Sequence, residues 1–206
     1  SRRQRQMCIR DRLYAVGLRK RFDWPTNTTI LKVSENGKLI FLEHSFDRNV
    51  VSVKTHNNEI FCLYEDSGKT LLRNVSQKKT IIEEDITIKD FNFIGDDLYV
   101  IANSFSRPDE IFKLVNEKLE RLSTINDDFN NKVKTFDCAY RRINTGQSEI
   151  DTWGIFVSKN KPTLLNIHGG PASQYGYTFF DEFQTYASAG FNLSLIHISE
   201  PTRRRL

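Results

Sequence analysis

The residues with the clearest chemical potential lie at 166–171, which read Asn-Ile-His-Gly-Gly-Pro. They continue the run Thr-Leu-Leu at 163–165, which predicts a fully buried strand of the parallel type. Two glycines directly after such a strand allow a sharp reversal that leaves backbone N–H groups exposed. Such donors stabilise the negative oxygen that develops during acyl transfer. The candidate oxyanion loop therefore consists of His168, Gly169, Gly170 and Pro171.

No suitable nucleophile accompanies this loop. The sequence contains no G-x-S-x-G segment, and Ser173 lies in Pro-Ala-Ser-Gln-Tyr, which lacks both glycines. In α/β-hydrolases, which have an oxyanion loop at this position, the catalytic serine, aspartate and histidine follow one another in that order. His168 precedes the position of any such serine, so it does not fit the catalytic histidine. We therefore expect all three beyond Asn192 and no catalytic residue within this chain. Gly169 and Gly170 also fit an ordinary tight turn, and His168 fits a loop histidine that satisfies its own backbone.

Other combinations of polar residues point less clearly to a ligand. Asp-Ser-Gly-Lys-Thr at 66–70 resembles part of a phosphate-binding loop, but Leu63 stands where that motif needs its first glycine. The carboxylates at 83–85 and 127–128 lack the spacing of a calcium site, so we expect solvated turns. Cys62 and Cys138 have no metal-ligand spacing and are expected to be buried reduced thiols. The sequence thus predicts no metal and no cofactor.

The two ends of the chain differ from the rest. One nucleotide string encodes residues 193–199, its reverse complement encodes residues 6–12, and it resembles the end of a transposon adapter used in DNA sequencing. We therefore predict that residues 1–12 and 193–206 are adapter-derived and not native. The formal net charge is +4 for the whole chain but about −2 for residues 13–192. No nucleic-acid partner is expected, no run of 18 apolar residues indicates a membrane partner, and the cytoplasm is the working hypothesis for localisation.

Short β-prone runs fill residues 13–123. They include EIFCLY, DLYVIANSF and EIFKLV, and turn residues such as Asn-Gly and Gly-Asp separate them, which is typical of hairpins. Residues 37–54 also align with residues 96–113 at a constant offset of 59. A repeated antiparallel unit of this length predicts a partial β-propeller. A β-sandwich with a coincidental repeat is the alternative.

The pattern changes after Thr124 to that of one α/β unit. The strand and the Gly-Gly loop lead into a helix at about 179–189, and Gly190 is placed to end this helix. The apolar face of the helix is predicted from Phe179, Phe180, Phe183 and Ala187. Phe191 would then open the next strand. We therefore expect a domain boundary near residues 140–160.

These motifs together resemble the prolyl oligopeptidase class of serine peptidases, above all its acylaminoacyl-peptidase and dipeptidyl-peptidase-like branch. The resemblance is strong over residues 145–191 and diffuse over residues 30–125. Its matching residues are the stretch 149–154, His-Gly-Gly-Pro at 168–171, and Phe180, Glu182, Phe183, Gln184, Ala187 and Gly190 in the helix. One departure is Asn-Thr-Gly-Gln-Ser-Glu at 144–149, since the family usually has Asp-Gly before the join.

The resemblance implies a β-propeller fragment of antiparallel blades over residues 13–140, followed by the truncated start of an α/β-hydrolase (peptidase) domain over residues 141–192. It implies that Gly170 lends an oxyanion N–H and that His168 and Gly169 shape the loop, which Pro171 closes. The parent protein would hydrolyse short peptides or acyl-peptides through an acyl-enzyme, and this chain would be inactive. Two alternatives stay open: an esterase-like hydrolase, and a non-enzymatic β-propeller binding module.

Overall fold

The computed structural model describes residues 7–9, 12–18, 27–42, 46–144, 146, 149–169 and 175–196. Within these ranges the chain forms three separate sheets and two short helices. The first sheet has four antiparallel strands in the order β1-β2-β3-β4. They are β1 (Met7–Ile9), β2 (Arg12–Gly17), β3 (Thr29–Val33) and β4 (Leu39–Phe41).

The second sheet has eight strands, which are built as consecutive hairpins. They are β5 (Asn49–His56), β6 (Glu59–Asp66), β7 (Lys69–Asn74), β8 (Lys79–Ile82), β9 (Thr87–Ile94), β10 (Asp97–Ser104), β11 (Arg107–Val115) and β12 (Lys118–Arg121). Their order is β12-β11-β10-β9-β7-β6-β5, with β8 also paired to β7. The β5–β6 turn shows why hairpins form here: Asn57 and Asn58 both have positive φ, as a two-residue turn that matches the strand twist requires.

The third sheet follows a short connecting helix, α1 (Asp127–Lys132). Its strands are β13 (Ala139–Asn144), β14 (Glu149–Ile155), β15 (Thr163–Ile167) and β16 (Asn192–Ile196), and α2 (Asp181–Ser188) connects the last two. The order is β13-β14-β16-β15, in which β15 and β16 are parallel and the other pairs are antiparallel. Neither helix in the described part of the chain is long and apolar enough to cross a membrane.

The predicted fold class, a β-propeller fragment followed by the start of an α/β-hydrolase domain, is wrong for this chain. The described residues are mostly β-sheet with two short helices, and none of the three sheets closes into a propeller. The two repeats that we interpreted as blades do not form separate sheets: residues 37–54 contribute β4 to the first sheet and β5 to the second, whereas residues 96–113 contribute β10 and β11 to the second. The hairpins β5–β8 and β9–β12 join in this second sheet, because β7 and β9 pair in parallel at Thr70 and Thr87. The proposed boundaries between native segments stay predictions.

Some described strands lie in the ends that we predicted to be adapter-derived. They are β1, the first residue of β2 and the last four residues of β16. In β16, Leu193 and Leu195 are fully buried in the same apolar cluster as Trp153 and Phe183. The predicted origin of these ends stays a prediction.

One apolar cluster packs within the second sheet, and another packs on the third sheet and connects it to the second. The first packs side chains of β6, β7, β9 and β10, including Leu63, Leu72 and Phe91. The second covers one face of the third sheet with α2, and Phe105 joins it from the turn between β10 and β11. Since burying one large apolar side chain contributes about 1.5–3 kcal/mol, this shared cluster fastens the second sheet to the third.

Glu110 is a buried carboxylate, 3% exposed, beside the segment that leads to α1. It accepts hydrogen bonds from the Ser123 hydroxyl and from the Asn126 N–H at 2.8 Å. Burial raises the pKa of Glu110, but these hydrogen bonds outweigh burial and lower its pKa below the ordinary value. The carboxylate therefore fastens residues 123–126 to β11.

Glu110→Gln should lower the free energy of unfolding at neutral pH by about 1–2 kcal/mol, because an amide cannot accept all these bonds. In the wild type, Glu110 contributes fully to the free energy of unfolding above the ordinary carboxyl pKa. This contribution is lost as the pH falls through the depressed pKa of the folded state, since unfolding takes up a proton. Urea titrations between pH 3 and 7 measure this effect. The control is Glu120→Gln on the exposed side of β12; an equal pH dependence in both variants would refute the role of Glu110.

Candidate functional site

The candidate loop begins where β15 ends. His168 and Gly169 directly follow this strand, whereas Gly170 and Pro171 lie outside the described residues. The predicted parallel strand is confirmed, because β15 pairs in parallel with β16. This pairing disfavours the binding-module alternative, which predicts no parallel strand at 163–167. The prediction of full burial is wrong: β15 is an edge strand, and Leu165 and Ile167 are each 56% exposed.

His168 and Gly169 present polar groups at this strand end. The His168 Nδ1 lies 3.3 Å from the Gly169 carbonyl oxygen, so the imidazole contacts the backbone of its own loop. Gly169 faces open space, since an added Cβ would meet no atom within 4 Å. Gly169 is therefore exposed at the strand end.

Tyr175 fastens the chain that returns from this loop to the end of β15. Its hydroxyl donates a 2.8 Å hydrogen bond to the Asn166 side-chain oxygen, and its ring meets the His168 ring edge to face at 6.1 Å. Phe183 of α2 packs against the other side of Tyr175, with ring centroids 5.2 Å apart. Burial raises the pKa of the Tyr175 hydroxyl, and the Glu182 carboxylate raises it further. At neutral pH this hydroxyl is thus a protonated donor.

Tyr177 joins the same returning segment to the second sheet. Its backbone N–H donates to the Gly68 carbonyl at 2.8 Å, in the turn between β6 and β7. Its ring meets the indole of Trp153 edge to face at 6.1 Å. Burial, reinforced by the Asp85 carboxylate, raises the pKa of Tyr177 to about 12. The sequence analysis did not identify Gly68, whose only signal was a Ser-Gly turn.

Gln184 also connects the third sheet to the second, from its position on α2. This side chain of α2 is 4% exposed and makes three hydrogen bonds. Its Oε1 accepts from the Phe136 N–H at 2.7 Å, and its Nε2 donates to the carbonyls of Phe136 and Phe105, each at 3.1 Å. The resemblance singled out Gln184 as part of a helix motif but gave it no role.

The acidic pair at 127–128 forms ion pairs within and beside α1. Asp127 and Asp128 lie in the first turn of α1 and pair with Arg121 at 2.8 Å and with Lys132 at 2.9 Å. The described residues contain no cluster of three His, Cys, Asp or Glu side chains that could hold a metal ion.

Cys62 and Cys138 are free thiols, and Cys62 is buried as predicted, whereas Cys138 is only partly buried. Burial, helped by the Asp137 charge, raises the pKa of Cys138 to about 12. Because the reactive form of cysteine is the thiolate, Cys138 is not a nucleophile at neutral pH.

Comparison with known proteins finds similarity to peptidases. No protein-family model matches the chain. Over 36 residues, 18% of this chain and 6% of the relative, it is 50% identical to the "Uncharacterized peptidase YuxL" of Bacillus subtilis (strain 168). The structure resembles the acylaminoacyl peptidase of Pyrococcus horikoshii with a TM-score of 0.80 at 23% identity, covering 90% of this chain and 30% of that one.

A second solved structure, dipeptidyl peptidase 4 of Porphyromonas gingivalis, gives a TM-score of 0.65 at 15% identity, covering 93% of this chain and 30% of that one. These likenesses show a shared fold over the matched stretch. The chain thus spans about a third of the length of the solved peptidases.

Proposed function

We propose that this chain is part of a serine peptidase of the prolyl oligopeptidase class. The observation that carries the proposal is the position of His168 and Gly169 at the end of a strand paired in parallel, with open space beside Gly169. Support comes from the structural neighbours, which are peptidases, and from the matched helix motif that includes Gln184. The proposed substrates are short peptides or acyl-peptides.

In the proposed reaction a serine hydroxyl attacks the carbonyl carbon of the substrate, and a histidine takes the hydroxyl proton. The histidine gives this proton to the leaving amine as the amide bond breaks, and water then hydrolyses the acyl-enzyme to regenerate the serine. The carbonyl oxygen becomes negative during the attack, and the N–H of Gly170 donates to it. His168, Gly169 and Pro171 shape the loop. The Tyr175 hydrogen bond to Asn166 supports this role, because it holds together the two chain segments that flank the loop.

The serine, the aspartate and the histidine of this reaction would belong to the complete protein, in the part that follows Asn192. Without them the 206-residue chain should be inactive. The source gene, read on without adapter sequence, should encode a G-x-S-x-G segment and then an aspartate and a histidine. A continued gene without these residues would contradict the peptidase proposal.

A fluorophosphonate probe, which reacts with activated serines, should label the complete protein and leave the 206-residue chain unlabelled. Gel fluorescence after incubation with the probe measures both. The control is Ser173→Ala in the chain, since Ser173 is the serine nearest to the loop in sequence. Labelling of the wild-type chain that Ser173→Ala abolishes would refute the proposed absence of the nucleophile, and an unlabelled complete protein would refute the peptidase.

A further inference from the structure

The turn between β6 and β7 makes the closest backbone contact between the second sheet and the segment that follows the candidate loop. The Gly68 carbonyl accepts the Tyr177 N–H at 2.8 Å. A Cβ on Gly68 would overlap the Trp153 indole and would lie 2.8 Å from the Cα of Gly176, and a Cβ on Gly176 would overlap the Gly68 backbone. Both positions therefore need glycine for this contact to form.

A second contact connects this junction to the end of β15. Two residues before Tyr177, the Tyr175 hydroxyl donates to Asn166 at 2.8 Å, and the Tyr175 ring meets the His168 ring. Residues 175–177 are thus bonded on one side to the second sheet and on the other side to the strand end that carries His168 and Gly169. The Tyr177 bond joins residues that are far apart in sequence, whereas the Tyr175 bond spans nine residues and closes the candidate loop.

The charges around the junction stabilise the same arrangement. The Lys69 ammonium, adjacent to Gly68, lies 5.5 Å from the centre of the Tyr177 ring and pairs with Asp85 at 2.5 Å. A cation over an aromatic face is attracted to it. Lys69 therefore strengthens the contact between the β6–β7 turn and Tyr177.

We infer that the β6–β7 turn positions His168 and Gly169 through Tyr177 and Tyr175, which makes Gly68 a positioning residue of the site. A shift of the second sheet relative to the third releases Tyr177, and the change passes through Tyr175 to the strand end. The importance of this coupling for catalysis rests on the proposed peptidase function. The coupling itself is a property of this chain.

The test compares Gly68→Ala with Gly95→Ala in the 206-residue chain. Both glycines lie in hairpin turns with positive φ, +74° and +59°, but a Cβ on Gly95 would meet nothing within 4 Å. The two variants thus carry similar backbone strain, and one of them also disrupts the junction. By NMR, Gly68→Ala should shift the His168 ring and Gly169 amide signals and speed hydrogen exchange of the Tyr177 amide about tenfold or more. Gly95→Ala should leave all three as in the wild type.

A second variant keeps the inference testable if Gly68→Ala does not fold. Tyr175→Phe removes the hydroxyl and keeps the ring, so the His168 signal should move while the Tyr177 amide stays protected. Unchanged His168 and Gly169 signals in a folded Gly68→Ala variant would overturn the inference. An unprotected Tyr177 amide in the wild type, or an unmoved His168 signal in Tyr175→Phe, would do so as well.

These measurements need no catalysis, so they separate the coupling from the proposed function. Failure of the fluorophosphonate probe to label the complete protein would refute the peptidase proposal and would not affect the NMR result. If the complete protein is labelled but Gly68→Ala does not shift the His168 and Gly169 signals, only the positioning role of Gly68 is refuted.

Discussion

Gln184→Leu should lower the free energy of unfolding of the chain by about 3–5 kcal/mol. Leucine has a similar volume, so the main loss is the three hydrogen bonds to the backbone of Phe105 and Phe136. Their N–H and carbonyl groups lose their partner inside a junction where Gln184 is 4% exposed. Each buried polar group left unpaired costs about 1–3 kcal/mol.

Urea unfolding followed by tryptophan fluorescence and by far-UV circular dichroism measures this loss. The matched control is Gln77→Leu, the same substitution at an exposed turn, where the side chain donates one hydrogen bond to Glu59 at 2.7 Å. The control should change the free energy of unfolding by less than about 0.5 kcal/mol. Equal losses in the two variants would show that Gln184 does not fasten the junction.

The hairpins and the helix could be predicted because the residues that determine each of them lie close together in the sequence. Alternating apolar residues between turn residues correctly predicted hairpins such as β5–β6 and β9–β10, which need no information beyond about twenty residues. The predicted helix face was half correct: Phe183 and Ala187 are buried on α2, whereas Phe179 and Phe180 precede the helix and Phe180 is 37% exposed.

The assembly of these elements was not predictable, because it depends on contacts between distant residues. The joining of two hairpin units into one sheet rests on a single parallel pair, Thr70 with Thr87, and neither residue carries a sequence signal for it. The exposure of β15 follows from its position at the sheet edge, which an apolar composition does not reveal. Gln184 likewise bonds to residues 48 and 79 positions away.

The same distinction applies to the candidate site. Sequence reasoning identified His168 and Gly169, because two glycines after an apolar strand form a contiguous motif. It named Asn166 as part of this motif and Gly68 as part of a turn, but it predicted no role for either in holding the flanking segment. Glycine at position 68 is required by the approach of Trp153 and Gly176, and this requirement exists only once the chain is folded.

In the proposed complete peptidase, Gly170→Pro should lower kcat by about 10²–10³-fold and leave KM nearly unchanged. Proline has no backbone N–H, so the substitution removes the proposed oxyanion donor, and loss of one such donor costs about that much in other acyl-transfer enzymes. Steady-state hydrolysis of a chromogenic acyl-peptide measures both constants. Gly170→Ala is the control, because alanine keeps the N–H.

The split between kcat and KM is the decisive part of this experiment. The substrate carbonyl is nearly neutral when it binds, and its oxygen acquires full negative charge only in the transition state, so a donor to the oxyanion acts on kcat. Gly170→Ala should therefore lose less than about tenfold in kcat. A loss in Gly170→Ala as large as in Gly170→Pro would assign the effect to loop shape. A rise in KM alone would assign Gly170 to substrate binding, and either result would contradict its role as the oxyanion donor.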